Sequence, residues 1–126
     1  MDHPSAVDLI LDHYEHPRRY GPLSEASLVG ESTNAGCGDV IRLYVRLDAN
    51  GRIADISFEG QGCTISRAAA SIFMEIALGR PLEEVKRLDS TVFVPLLGEA
   101  VVASRTRCVT LALDALRAAD APNRTG

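Results

Sequence analysis

The chain has 126 residues, 46% of them apolar, no tryptophan and a net charge of −4. That is one domain's worth of sequence, with enough apolar mass for a core without disulfide staples, and its acidic balance argues against general nucleic-acid binding. No apolar run approaches the length of a membrane span and the opening MDHPSAVD lacks signal-peptide character, so a cytoplasmic location with reduced thiols is expected.

Ser5 to His16 reads as the first helix, capped by Ser5, limited by Pro17 and striped by Val7, Ile10, Leu11 and Tyr14. His13 and His16 resemble a spaced metal pair, but at a helix end they read as surface residues. Residues 26–32 suit a strand, although Gly30 weakens the pattern. Val40 to Leu47 alternates clearly, with Ile41, Leu43, Val45 and Leu47 on one face. Asn50-Gly51 predicts a two-residue hairpin turn into a return strand from Arg52 to Gly60. The period then changes, and Ile65, Ala69, Ile72, Phe73 and Ile76 mark a helix from Thr64 to about Gly79. Pro81 opens a short helix to Leu88. Residues 92–103 read as short helical pieces, and residues 105–119 as a last helix with Val109, Ala112, Leu113 and Leu116 inward. Residues 1–4 and about 120–126 are expected to be flexible. The whole reads as one α+β domain over residues 1–126, a small antiparallel sheet with helices on one face.

The chain has three cysteines, in the stretches NAGCGD, GQGCTIS and SRTRCVT. Three cannot all pair with one another, so free, reactive or metal-bound thiols are the better reading. The hairpin register gives paired residue numbers that sum to about 101 and puts Val40 opposite Gln61. Cys37 then falls opposite Thr64, beside Cys63, at the hairpin's open end. Cys63 starts a helix, and Cys108 lies in the first turn of the last helix with Arg105 and Arg107 beside it. Both settings predict a thiol biased toward thiolate, the form that binds metal and attacks persulfide. Asp39 adds an oxygen two residues after Cys37. Three sulfurs and a carboxylate form a four-ligand set suited to zinc or iron rather than to calcium or magnesium. Taken singly, Cys108 could equally be a core residue and Asp39 a turn carboxylate.

Together these stretches resemble a known family, the U-type iron–sulfur cluster assembly proteins: IscU, SufU and the N-terminal domain of NifU. The resemblance runs from LILDHYEHPRRYG through NAGCGD and GQGCTISRAAAS to RTRCVTLALDAL. It implies an N-terminal helix, a three-stranded antiparallel sheet and several helices packed on it. It implies Cys37, Asp39, Cys63 and Cys108 as ligands of a zinc ion or of a transient [2Fe–2S] cluster, with Cys108 the persulfide acceptor. The implied partners are a cysteine desulfurase and recipient apoproteins or cluster carriers, and the implied state is a monomer or weak oligomer. A scaffold is the leading expectation. The alternative is a zinc-dependent sulfur carrier, a sulfurtransferase that holds no stable cluster. A purely structural zinc module ranks below both, because local Cys-x-x-Cys pairs are missing.

Several positions depart from the family pattern. Ala35 replaces a loop proline. Arg107 stands where the IscU branch has histidine, while Arg105 resembles the SufU branch, whose extra segment between the second and third cysteines is missing. The Leu-Pro-Pro-Val-Lys motif is replaced by EAVVASR, which argues against docking to the dedicated Hsp70-type chaperone.

Overall fold

The computed structural model describes residues 5–34, 36 and 38–121. Helix α1 spans Ala6–Glu15 and is capped by the Ser5 hydroxyl, which accepts from the Asp8 amide at 3.1 Å. Strands β1 (Leu28–Asn34), β2 (Asp39–Leu47) and β3 (Ile53–Gln61) form one antiparallel sheet in that order. Helix α2 follows (Thr64–Ala77), then α3 (Leu82–Lys86), a 3₁₀ turn (Ser90–Phe93), α4 (Val94–Leu97), α5 (Glu99–Ser104), α6 (Thr106–Val109) and α7 (Leu111–Arg117). The α+β expectation, with a three-stranded sheet and helices on one face, is met.

Alternation in β2 decides which face is covered. Ile41, Leu43 and Val45 are fully buried, while Arg42 between them is exposed. Opposite them on β3, Phe58 pairs with Leu43 and Ile56 with Val45, so the same face stays apolar across the sheet. Helix α2 packs on β3, and α7 crosses β1 and β2. The loop after α1 closes the β3 edge: Phe58 donates to Arg19 O at 3.1 Å and accepts from the Gly21 amide at 2.8 Å. The other face is polar, with the Tyr44 hydroxyl bonded to Glu59 and the Arg42 guanidinium over the Tyr44 ring.

Gly30 weakens the strand pattern for a packing reason. A Cβ there would lie 2.0 Å from the Ala115 carbonyl oxygen and 2.8 Å from Ala119 Cα, so only glycine lets α7 cross β1 this closely. Beyond α7, Asp120, which the sequence reading put at the start of a flexible tail, exchanges two backbone hydrogen bonds with Val29.

Three expectations need correction. The hairpin loop is longer than two residues: Asp48 and Arg52 face each other, and the Asp48 carboxylate accepts from the Asn50 and Arg52 amides at 2.8 and 3.0 Å. A bulge between Arg46 and Leu47 shifts the register by one. From Arg46↔Asp55 to Val40↔Gln61 the pair numbers therefore sum as predicted. Second, the last helix is not continuous, because it breaks at Thr110 between α6 and α7. Third, the inward face of α1 is rotated. Val7 and Leu11 are exposed, while Ile10 and His13 are buried.

His13 is thus a core residue, 2% exposed, rather than a surface one. Its Nδ1 lies 2.7 Å from the Ser71 hydroxyl and its Nε2 3.3 Å from Glu75. Burial, and then the Arg18 charge, hold His13 below the usual histidine range, and the attraction of Glu75 and Asp12 does not offset them. The unfolded chain therefore takes up this proton first. The stability this histidine contributes is present above about pH 6.5, the unperturbed histidine value. It is lost as pH falls through the lower folded value. The melting temperature is expected to drop by a few degrees between pH 7.5 and 5.5, and His13→Asn should flatten that slope. An unchanged slope in the variant would assign the acid sensitivity elsewhere.

Candidate metal centre

The alternation that buries Ile41, Leu43 and Val45 also sends Asp39, at the head of β2, to the core face. Asp39 is fully buried. Its Oδ1 accepts from the Cys63 amide at 2.9 Å, and its Oδ2 from the Ser66 hydroxyl at 2.6 Å. Among the described residues no cation pairs with it. Buried carboxyl groups are characteristically hydrogen-bonded, ion-paired or metal-bound.

Two thiols face the same oxygen. Asp39 Oδ2 lies 3.8 Å from Cys63 Sγ and 3.7 Å from Cys108 Sγ. Cys63 arrives there as the N-cap of α2, where its sulfur accepts from the Ser66 amide at 3.5 Å. Cys108 arrives on α6, and the Asn34 side-chain amide lies 3.9 Å from its sulfur. The three ligand atoms all fall within 4.8 Å of one another. A tetrahedral zinc ion, with Zn–S of about 2.3 Å and Zn–O of about 2.1 Å, places sulfur and oxygen ligands roughly 3.6 Å apart. The observed separations fit such an ion with little movement, and the donor set suits zinc or iron. Cys37 lies outside the described residues. Its predicted neighbourhood rests on the register, which holds up to Val40↔Gln61, and on its place between Asn34 and Asp39, themselves a strand pair.

The expected electrostatics of Cys108 are overturned. Burial pushes its thiol up to about 11, the nearby Asp39 carboxylate and Cys63 act in the same direction, and Ser66 opposes them without compensating. Arg105 and Arg107 are exposed and point to solvent. The four-residue helix α6 supplies little dipole. Both arginines line a cavity of about 390 Å³ that has Cys108 and Asn34 in its wall.

The sequence reading gave no role to Ser66 or Asn34. Ser66 was detectable as a polar side chain three residues after the helix cap, in a helix otherwise apolar on that side. Asn34 was detectable only through the strand pairing that ends at Asn34↔Asp39. Gly62 sits against the carboxylate: a Cβ there would lie 2.4 Å from Asp39 Oδ1.

Residues 6–122 match the profile of the NifU-like N terminal domain. The chain belongs to that family. It is 35% identical over 112 residues to the iron-sulfur cluster assembly scaffold protein IscU 1 of Archaeoglobus fulgidus, covering 89% of this chain and 72% of the relative. It is 34% identical over 125 residues to the zinc-dependent sulfurtransferase SufU of Bacillus subtilis, covering 86% of this chain and 84% of that one. Among solved structures, a putative iron-sulfur cluster assembly scaffold protein for the SUF system from Fervidobacterium islandicum superposes with a TM-score of 0.71 at 27% identity. That match covers 86% of this chain and 91% of the other. The resemblance read from the motifs is thereby confirmed at the level of the family.

Proposed function

We propose that this NifU-like domain is an iron–sulfur cluster assembly scaffold. It accepts sulfur from a cysteine desulfurase on Cys108 and carries zinc, or a transient [2Fe–2S] cluster as cargo, on Cys37, Asp39, Cys63 and Cys108. The observation that carries this reading is the buried Asp39, which has no cation partner among the described residues and has both thiols close to one of its oxygens. The names of the relatives support it from an independent direction. Bound zinc would supply the positive charge that favours both thiols as thiolates. The protein's own part is to hold Asp39 from Cys63 and Ser66 and to leave Cys108 reachable from the arginine-lined cavity.

The zinc-dependent sulfur carrier remains a second reading for a specific reason. Arg107 precedes Cys108, and guanidinium cannot ligate metal. Among the described residues no histidine joins Asp39, Cys63 and Cys108. The reading also takes residues 1–126 as one cytoplasmic domain, monomeric or weakly oligomeric, that delivers to recipient apoproteins or cluster carriers. In the described residues no helix is long and apolar enough to cross a membrane.

Anaerobic incubation with a desulfurase, cysteine, ferrous iron and a thiol reductant tests the two readings together. The expected result is a [2Fe–2S] chromophore that decays as an added apo-ferredoxin is filled. Persulfide on the protein without any chromophore would move the assignment to the carrier. Neither chromophore nor persulfide would remove both.

A further inference from the structure

We propose that Ser66 is a positioning residue of this centre, and that its hydroxyl aims the Asp39 oxygen that meets the metal. The inference rests on the metal-binding reading above. Ser66 is 1% exposed, and its hydroxyl donates to Asp39 Oδ2 at 2.6 Å. The same oxygen lies 3.7 and 3.8 Å from the two sulfurs. The start of α2 does not need that hydroxyl, because the Ser66 backbone amide already serves the cap by donating to Cys63 Sγ. The hydroxyl therefore goes mainly to the carboxylate, with the Cys63 sulfur a longer 3.4 Å away.

A carboxylate on one flexible bond can turn either oxygen, or neither, toward an ion. Here three contacts remove that freedom. The Cys63 amide holds Oδ1, Ser66 holds Oδ2, and Gly62 lets the carboxylate sit where any larger residue would strike it. Oδ2 keeps a lone pair for the ion while Ser66 occupies another, which fixes direction without blocking the bond. Hydrogen bonds of this kind around metal ligands commonly change affinity by about 10–100-fold.

The test measures zinc affinity of the full chain by competition with a chromophoric chelator. Ser66→Ala should bind zinc about tenfold more weakly, and Ser66→Thr, which keeps the hydroxyl, should restore the affinity. In an Asp39→Ala background, Ser66→Ala should cost much less than in the wild type, since the residue acts mainly through Asp39 and only its longer contact with the Cys63 sulfur remains. Cobalt in place of zinc gives a second readout: the ligand-field bands of Ser66→Ala should shift toward those of Asp39→Ala. Unchanged affinity with bands that superimpose on the wild type would overturn the inference. So would an equal loss with and without Asp39, which would assign the effect of Ser66 to the Cys63 sulfur or to the fold rather than to the carboxylate. A wild type that binds no zinc would bring down the metal-centre reading itself, and this inference with it. Zinc retained regardless of Ser66 would bring down the inference alone.

Discussion

Cys108→Ser is expected to leave the protein without added sulfur after incubation with a cysteine desulfurase and cysteine, whereas Cys63→Ser should still gain it. In the transfer, the Cys108 sulfur bonds to the terminal sulfur of the desulfurase persulfide. The donor S–S bond breaks, the desulfurase cysteine leaves as thiolate, and it takes up the proton that Cys108 gives up. One thiol and one persulfide go in, and one of each comes out, so no oxidant is needed. The preference for Cys108 follows from its charged surroundings and from competing duties, since Cys63 is the more exposed of the two thiols. Cys108 is 4% exposed, yet it lies in the wall of the cavity lined by Arg105 and Arg107, whose charges attract an anionic persulfide. Cys63 is committed to capping α2 through the Ser66 amide. Intact-protein mass spectrometry reads the result directly. Sulfur on Cys108→Ser at the wild-type level would transfer the acceptor role to another cysteine. Arg107→Ala should lower the rate of loading without abolishing it, since the arginine attracts the donor but forms no bond to sulfur.

Much of this centre was legible from the chain alone, for identifiable reasons. The hairpin pattern from Val40 to Gln61 fixed the register at the end that matters, because the longer turn at Asp48–Arg52 was cancelled by the bulge at Leu47. The period-2 alternation of Ile41, Leu43 and Val45 extends back two residues to Asp39, a step that needs β2 to start one residue earlier than the sequence pattern from Val40 indicates. Cys108 could be placed beside these groups only by resemblance, since helix periodicity says nothing about where α6 meets the sheet. Its raised thiol was misread for the same reason. Sequence proximity to Arg105 and Arg107 suggested a cationic setting, but the side chains diverge, with the thiol turned inward and both guanidiniums outward. His13 was missed because a polar residue on an amphipathic helix defaults to the surface. Its partners Ser71 and Glu75 lie about sixty residues away on α2, beyond any local signal.

Zinc loading should raise the melting temperature far more than any single substitution on this surface would. Asp39 stands at the start of β2, Cys63 at the start of α2 and Cys108 on α6, so one ion would fasten three elements that otherwise meet through packing and the hydrogen bonds to Asp39. The unfolded chain cannot present these ligands together, and binding free energy therefore becomes folding free energy. At zinc a thousandfold above its dissociation constant the stabilisation is about 4 kcal/mol, which for a chain of this size is on the order of 15 °C. Chelator-treated and zinc-loaded protein compared by scanning calorimetry give the shift. A Cys63→Ser/Cys108→Ser double variant should lose it, because the exposed His16 and other surface donors would still be present but the centre would not. Asp39→Ala should keep part of the shift, since the sulfurs hold zinc more strongly than one carboxylate does. Identical melting with and without zinc would show that no ion ties these elements together. A shift that survives in the double variant would place the ion elsewhere on the chain.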